Sequence, residues 1–178
     1  MLYEMIFAGF GGQGVLSMGK LLAYAAMKEG REVSWMPSYG PEMRGGTANC
    51  MVNVSDQAIS SPVVNAYDVA VVLNLPSLKR FESKVKKGGV LIWESSTIKE
   101  PPTRSDISVY ALPAIDKSGS ELGNVKVMNM IILGALTKLT HIVAPASLLT
   151  ALTETLPKRH HDLIPLNQKA IELGMSLV

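Results

Sequence analysis

The chain has 178 residues, of which 47% are hydrophobic and 18% are charged, with one cysteine and a formal net charge of +2. A chain of this length can bury about 70% of its unfolded surface in one core, so we expect a single domain over residues 1–178. A lone cysteine excludes an intramolecular disulfide, a four-cysteine zinc site and a four-thiolate iron–sulfur cluster within this chain.

Charge and hydropathy exclude two further classes of protein. Basic residues are scattered and are not interleaved with aromatic residues, which argues against nucleic-acid binding. The longest apolar run in a predicted helix, residues 130–136, is far shorter than the ~20 residues that cross a bilayer, so no membrane contact is expected. The N-terminus lacks a signal-peptide pattern, which together with the single thiol favours a cytoplasmic protein. Because charge is sparse and ten methionines add apolar surface, we expect other subunits to cover part of the exterior.

In the first half of the chain, an apolar run that stops at glycines is followed by apolar residues at helical spacing. This order is typical of a strand, a turn and a helix. The predicted elements are a strand at residues 3–8, a helix at residues 15–28 that ends at Gly30, strands at residues 32–36 and 47–54 on either side of a loop over residues 37–46, and a hairpin partner for the third strand around residues 57–60.

In the second half, nearly continuous apolar runs indicate strands covered on both faces. The predicted elements are strands at residues 67–74, 90–93 and 107–112, a helix at residues 76–87 stopped by Gly88 and Gly89, and three C-terminal helices: residues 125–139 capped by Asn124, one opened by Pro145, and residues 161–177. Strands that alternate with helices predict an α/β fold of three layers, with a mostly parallel Rossmann-like sheet, helices on both faces and a helical C-terminal part.

A glycine-rich turn, Gly-Phe-Gly-Gly-Gln-Gly, joins the first strand to the first helix. Glycines here allow a tight turn, and the N–H groups at a helix start attract anions. A dinucleotide-binding fold also needs an acid after the second strand, where this chain has only Ser34, Trp35, Met36 and Pro37. The turn therefore predicts either close packing alone, or an anionic or nucleotide-containing ligand, or contact with a partner. Gln13 could cap the helix or reach a ligand.

The loop over residues 37–46 is expected at the carboxyl end of the sheet, where open α/β sheets bind ligands. Its prolines and glycines constrain the backbone, which makes it a good platform for recognition. Arg44 can bind a carboxylate or a phosphate, or it can pair with Glu42 and only hold the loop together. Ser38 and Tyr39 are the other candidate contacts.

These motifs together resemble the gamma subunit of 2-oxoacid:ferredoxin oxidoreductases, of the pyruvate/ketoisovalerate oxidoreductase catalytic domain family. The resemblance covers nearly the whole chain, and its most specific part is Pro-Ser-Tyr-Gly-Pro-Glu-Met-Arg-Gly-Gly-Thr-Ala-Asn at residues 37–49. This segment looks more like the 2-oxoglutarate or branched-chain members than the pyruvate members. The other matching residues are the glycine turn, Ser61-Pro62 before Asp68, Asn129, and Leu133-Gly134.

The resemblance implies a complex that oxidatively decarboxylates a 2-oxoacid, 2-oxoglutarate above all, with coenzyme A to acyl-CoA, CO2 and reduced ferredoxin. It implies that thiamine diphosphate and magnesium lie on alpha and beta subunits and iron–sulfur clusters on other chains, including a ferredoxin-like subunit. This chain would bind none of these cofactors alone, would be inactive alone, and would help to form the coenzyme A site. The implied ligand-facing or interface residues, none catalytic, are Gly9, Gly11, Gly12, Gln13, Gly14, Ser38, Tyr39, Glu42 and Arg44.

Two alternatives stay open: a free-standing nucleotide-binding Rossmann-like enzyme and a purely structural adaptor. An isolated copy is expected to self-associate through surfaces that partners would cover. Among single residues, we expect Asn129 to satisfy backbone or a neighbouring subunit and Gly134 to permit close helix packing. Cys50 is expected to act as a small hydrophobic residue, and metal binding by His160 and His161 is not expected.

Overall fold

The computed structural model describes residues 1–40 and 45–178. Two of the predicted site residues, Glu42 and Arg44, therefore lie outside the described residues. The described strands are β1 (Leu2–Phe10), β2 (Glu32–Tyr39), β3 (Thr47–Ser55), β4 (Tyr67–Val72), β5 (Val85–Glu94) and β6 (Ser108–Leu112). The α-helices are α1 (Val15–Lys28), α2 (Leu75–Phe81), α3 (Ala114–Leu122), α4 (Met128–Thr140), α5 (Pro145–Thr155) and α6 (Ile164–Ser176).

The six strands form one sheet in the order β2-β3-β1-β4-β5-β6. The pairs β1–β4, β4–β5 and β5–β6 are parallel, whereas β3 is antiparallel to both β1 and β2. All strands except β3 thus run in one direction. The predicted fold class, a mostly parallel α/β sheet with helices on both faces and a helical C-terminal part, is confirmed.

The hairpin partner predicted for β3 around residues 57–60 is wrong. Both edges of β3 are already occupied, by β1 along its whole length and by β2. The following segment is held in another way, because Nδ2 of the buried Asn53 donates to the carbonyl oxygens of Ser61 at 3.3 Å and Pro62 at 3.2 Å. Side-chain hydrogen bonds thus replace strand pairing for this loop.

Strand β2 runs through Pro37 to Tyr39, whereas the sequence predicts a loop from Pro37. Proline lacks an N–H group and is tolerated in an edge strand, where one side of the backbone has no partner strand. β2 is such an edge, and Pro37 lies opposite Cys50 of β3. Ser38 and Tyr39 are consequently strand residues.

The helix predicted over residues 76–87 is too long. α2 ends at Phe81, a 3-10 turn spans Glu82–Lys84, and β5 begins at Val85. Arg104, from a later part of the chain, binds the backbone where the helical segment ends. Its guanidinium donates to the carbonyl oxygens of Glu82 at 3.0 Å and Val85. Gly88 and Gly89 therefore do not stop a helix; they lie inside β5, where its register with β4 shifts.

The helices are divided unequally between the two faces of the sheet. One face packs against α1, α3, α4, α5 and α6 through a core that includes Met5, Leu22 and Ile131, and the other packs against α2 through Leu78 and Phe81. Residues Met130 to Thr137 of α4 are all buried, so this apolar helix lies inside the protein. No helix in the described ranges is long and apolar enough to cross a membrane.

The close approach of helices at Gly134 is confirmed. A Cβ built at Gly134 would collide with the backbone carbonyl of Ile171 in α6, and a Cβ at Gly174 would collide with the carbonyl of Ile131 in α4. The contact is therefore reciprocal, with a glycine on each helix facing the backbone of the other. Substituting either glycine would force α4 and α6 apart.

Candidate functional site

The glycine turn lies at the carboxyl end of β1 and is joined to the end of the neighbouring loop. Gly11 N–H donates to the carbonyl of Gly46 at 2.8 Å, and Gly45 N–H donates to the carbonyl of Gly11 at 3.3 Å. Gly12 and Gly14 have φ angles of 97° and 77°, which are left-handed conformations that favour glycine. The structure thus brings the two predicted site segments together.

Close packing explains two of the glycines. A Cβ at Gly9 would lie 2.6 Å from Oε1 of Gln13 and 3.0 Å from Cβ of Leu73, and a Cβ at Gly14 would collide with the side chain of Asn129. At Gly12, in contrast, a Cβ would meet nothing within 4 Å. Gly12 is exposed, so the space beside it is available to a ligand.

Gln13 acts within the turn. Its Oε1 accepts a hydrogen bond from Phe10 N–H at 2.6 Å, and its Nε2 donates to the carbonyl of Leu73 at 3.2 Å. Both ends of the amide are therefore bonded to backbone, at the end of β1 and just after β4. Capping of α1, one of the two roles left open by the sequence, is not what Gln13 does, because no side chain caps this helix. Its hydrogen bonds support the turn instead.

A cavity of about 300 Å³, which we call the glycine cavity, opens beside the turn. Tyr39 is 55% exposed and belongs to its lining, so the strand β2 residue and the turn share one site. Sequence reasoning missed several lining residues, although two of them, Phe10 and Val15, directly flank the glycines. The described residues lining the cavity are Phe10, Gly11, Gly12, Gly14, Val15, Leu16, Ser17, Tyr39 and Ala48.

Ser38 does not join Tyr39 in this cavity. Side chains alternate between the faces of a strand, and residues directly opposite in an antiparallel pair share a face. Ser38 is opposite Asn49, which is opposite Ala8, and Ala8 packs in the core on the α2 side of the sheet. Ser38 is therefore on the other face of the sheet from α1.

The electrostatics of the glycine cavity suit an anion. No acidic residue lies in the first turn of α1, and no side chain caps Gly14 at its start. The positive end of the helix dipole is thus not neutralised locally. None of the lining residues in the described ranges carries a carboxylate.

The sheet order argues against a dinucleotide site. In a dinucleotide-binding fold the second strand lies beside the first, which brings its terminal acid to the ribose. Here the antiparallel β3 lies between β1 and β2. A residue at the end of β2 is therefore one strand farther from the glycine turn than in a dinucleotide-binding fold. An acid at that position could not reach a ribose bound at the turn, which agrees with the absence of an acid there in the sequence.

Asn129 lies on the first turn of α4, against Gly14. It is half-buried, and its Oδ1 accepts a hydrogen bond from Met130 N–H at 3.0 Å. The expectation that the side chain of Asn129 forms a hydrogen bond with a backbone group is confirmed. Its amide also borders a second cavity next to the turn.

Cys50 is fully buried in the core, as its interpretation as a small hydrophobic residue predicts. Burial raises the pKa of the Cys50 thiol to about 12, so the thiol stays protonated at neutral pH. Within residues 1–40 and 45–178, no three His, Cys, Asp or Glu side chains converge in a way that could hold a metal ion.

Comparison with known proteins identifies the family. Residues 4–177 match the family model of pyruvate ferredoxin/flavodoxin oxidoreductase. The 2-oxoglutarate synthase subunit KorC of Methanocaldococcus jannaschii is 35% identical over 162 residues, covering 89% of this chain and 86% of KorC. The keto/oxoacid ferredoxin oxidoreductase gamma subunit of Geobacter sulfurreducens has a similar structure, with a TM-score of 0.83 at 28% identity over 98% of this chain and 96% of that chain.

The ketoisovalerate oxidoreductase subunit VorA of Methanothermobacter thermautotrophicus is 43% identical over 132 residues, or 74% of this chain. The chain spans only 27% of the length of this VorA and of its counterpart in Methanothermobacter marburgensis. These matches show that the chain belongs to the pyruvate ferredoxin/flavodoxin oxidoreductase family. Several of its relatives are subunits of oxidoreductases.

Proposed function

We propose that this chain is the gamma subunit of a 2-oxoacid:ferredoxin oxidoreductase complex whose substrate is 2-oxoglutarate. The full-length similarity to KorC and to the Geobacter sulfurreducens gamma subunit supports this proposal. The reaction converts a 2-oxoacid, coenzyme A and two oxidised ferredoxins into acyl-CoA, CO2, two reduced ferredoxins and a proton. The electron pair of the broken bond stays on the acyl carbon when CO2 leaves, and it passes to the two ferredoxins as that carbon is oxidised to the level of the thioester.

The composition of the chain fits a division of labour in which other subunits carry the redox chemistry. One cysteine cannot hold an iron–sulfur cluster of the usual kind, and that cysteine is buried. We propose that thiamine diphosphate and its magnesium are bound by alpha and beta subunits, and the clusters by a ferredoxin-like subunit. This chain completes the assembly and is inactive alone.

The observation that carries the proposed role is the glycine cavity. Its backbone N–H groups, its uncapped helix start and the aromatic ring of Tyr39 suit the phosphates and body of coenzyme A. We assign Gly11, Gly12, Gly14 and Tyr39 to this site, with Glu42 and Arg44 as further contacts from the adjacent loop. Gly9 and Gln13 support the turn, and Ser38 faces a partner subunit on the opposite side of the sheet.

Reconstitution tests the proposal. The chain should be co-expressed with a thiamine-binding pair of subunits and a cluster-bearing subunit from the same source. We expect a stable complex that reduces ferredoxin with 2-oxoglutarate only when coenzyme A is present. The same subunits without this chain should show no coenzyme A-dependent activity, and full activity in its absence would overturn the proposal.

A further inference from the structure

A small cavity of about 50 Å³ lies on the α2 side of the sheet, between the beginning of β3 and helix α2. Its lining includes Thr47 and Asn49 of β3 and Ser77 and Arg80 of α2, and we call it the arginine cavity. Thr47 and Asn49 share one face of β3, because side chains alternate along a strand. Asn49 is opposite Ala8, which packs in the core on the α2 side, so the arginine cavity and helix α1 are on opposite faces of the sheet.

Arg80 gives the arginine cavity a positive charge. It is exposed, and in the part of the chain that the structure describes no carboxylate lies at salt-bridge distance from it, whereas the preceding Lys79 pairs with Glu100 at 3.0 Å. No Asp or Glu is among the described residues that line the cavity. Burial raises the pKa of the neighbouring Tyr67, so its hydroxyl stays uncharged at neutral pH and does not neutralise Arg80. The ligand that this charge favours is therefore an anion.

The guanidinium of Arg80 is supported by an aromatic ring. It lies 5.2 Å from the centroid of the Phe81 ring, and Phe81 is held in the core with only 4% of its surface exposed. A cation over a fixed ring is itself restrained in position. The ammonium of Lys84 lies 5.8 Å from the same centroid, but Lys84 is not part of the cavity lining. Of the two cations that share this ring, Arg80 is thus the one that faces the cavity.

The other polar side chains of the arginine cavity can donate hydrogen bonds. Ser77 is only 7% exposed, and its hydroxyl has no hydrogen-bond partner within the described ranges. It precedes Arg80 by three residues, so the two side chains lie on the same side of α2. The hydroxyl of Thr47 and the amide of Asn49 add donors from the facing strand. A guanidinium beside such donors suits a carboxylate, because ionised carboxylate oxygens only accept hydrogen bonds.

The size of the arginine cavity limits what it can hold. Its volume of about 50 Å³ is a small part of the about 300 Å³ of the glycine cavity, and pockets for whole small molecules have roughly 300–1,000 Å³. It therefore admits one functional group and not a nucleotide. The exposed Ser38, which the proposed function assigns to a partner subunit, is opposite Asn49, so the cavity adjoins that surface.

We propose that the arginine cavity binds the carboxylate of an aspartate or glutamate side chain of a partner subunit, and that this contact anchors the chain in the complex. The inference rests on the proposed function, which places a partner subunit beside Ser38. Arg80 donates two hydrogen bonds to the carboxylate, and Ser77 donates a third. Because the partner covers the cavity, the pair is shielded from solvent, and removing one member of such a pair weakens binding strongly.

The test measures the Kd between this chain and the purified complex of the other subunits, by titration with a fluorescent label on this chain. We expect Arg80→Met to raise the Kd by about tenfold or more, and Ser77→Ala to raise it by about threefold through the loss of one hydrogen bond. Lys84→Met is the matched control, because it removes the same charge from the same aromatic ring outside the cavity. It should leave the Kd within about twofold of the wild-type value.

Arg80→Lys provides an independent variant if Arg80→Met does not fold, and it should also raise the Kd because an ammonium cannot form the paired hydrogen bonds of a guanidinium. The inference is overturned if both Arg80 variants bind as tightly as wild type, or if Lys84→Met weakens binding as much as Arg80→Met does. An unchanged Kd with a raised KM for 2-oxoglutarate in the assembled complex would overturn it in favour of a free carboxylic acid as the ligand. Failure of the proposed function looks different, because the wild-type chain would then not bind the other subunits at all.

Discussion

The Nε2 atom of Gln13 donates a hydrogen bond to the carbonyl oxygen of Leu73 at 3.2 Å, across 60 residues of sequence. This bond joins the turn after β1 to the residue that follows β4, its parallel neighbour in the sheet. The turn is therefore a fixed part of the carboxyl edge of the sheet. The shape of the turn depends on the side chain of Gln13, which lies between two glycines in the sequence.

We predict that Gln13→Ala destabilises the protein by about 1–3 kcal/mol, because two backbone groups lose their partner. The free energy of unfolding in urea measures this effect. Gln57→Ala, at an exposed position after β3, is the control and should change stability little. Wild-type stability combined with a raised KM for coenzyme A would show instead that Gln13 contacts the ligand.

A methyl group at Gly12 should obstruct the glycine cavity. Gly12 lines the cavity and has open space where a Cβ would lie, so Gly12→Ala places the methyl where a ligand would pack. Its positive φ adds a backbone cost of about 1 kcal/mol. We expect the KM for coenzyme A in the assembled complex to rise by about tenfold, as for the loss of one close contact.

Gly30→Ala is the matched control for this variant. Gly30 has a φ of 78°, also has open space within 4 Å of the position that a Cβ would take, and lies at the opposite end of α1. The two variants should lose similar stability in thermal unfolding, but only Gly12→Ala should change the KM. An equal KM for both would place the ligand away from the turn.

The helix contact between Gly134 and Ile171 predicts a large difference between two glycine-to-alanine substitutions. Gly134→Ala should destabilise by about 1–3 kcal/mol or more, because its methyl group would overlap a backbone carbonyl that cannot turn away. Gly119→Ala in α3 should be neutral or stabilise by up to about 1 kcal/mol, since its Cβ would lie 3.5 Å from Val125 Cγ1 and alanine favours the helix. The melting temperatures of the two variants and of the wild type test this difference. Equal melting temperatures for the two variants would contradict the close packing of α4 and α6.

Glu94 should make stability depend on pH. Burial alone would raise the pKa of this carboxyl group, but hydrogen bonds from Ser96, Thr97 and Ile115 lower it overall. Its carboxylate joins the end of β5 to the start of α3, with Thr97 N–H donating at 2.9 Å and Ile115 N–H at 3.2 Å. Because the folded pKa lies below the unfolded value, this stabilisation is present above about pH 4.3 and is lost as the pH falls through the folded pKa.

We therefore expect Glu94→Gln to lower stability at pH 7 by about 1–3 kcal/mol, since an NH2 group would face backbone donors. The difference from wild type should shrink as the pH is lowered below about 4. Urea midpoints measured from pH 3 to pH 7 test this, with the exposed Glu100→Gln as the control. A difference that stays constant over this range would mean that the charge of Glu94 is not what stabilises α3.

Sequence patterns predicted those helices and strands whose ends are set by residues adjacent in sequence. The bounds predicted for α1 agree with the structure because its start follows the glycine turn and its end meets Gly30, both adjacent in sequence. The sequence predicted no element at the position of α3, which buries only Ala114 and Ser118 and is low in hydropathy. Its first turn is held by Glu94, 21 residues earlier, and such a contact leaves no periodic pattern in the sequence.

The site shows the same division. Adjacent glycines identified the turn, and the resemblance at residues 37–49 included Tyr39 among the expected site residues. The separation of Tyr39 from Ser38 could not be foreseen, because it follows from the extension of β2 past Pro37 and from its pairing with β3. The approach of Asn129 to Gly14 depends on how α4 packs beside α1.

The sequence by itself determined the α/β class, the position of the glycine turn, the family resemblance and the limit that a single cysteine sets on redox chemistry. These properties depend on residue types, short spacings and counts. Only the tertiary structure decided that Gln13 supports the turn and that Tyr39 and not Ser38 borders the glycine cavity. Those relations depend on strand register and helix packing, which bring together residues that are far apart along the chain.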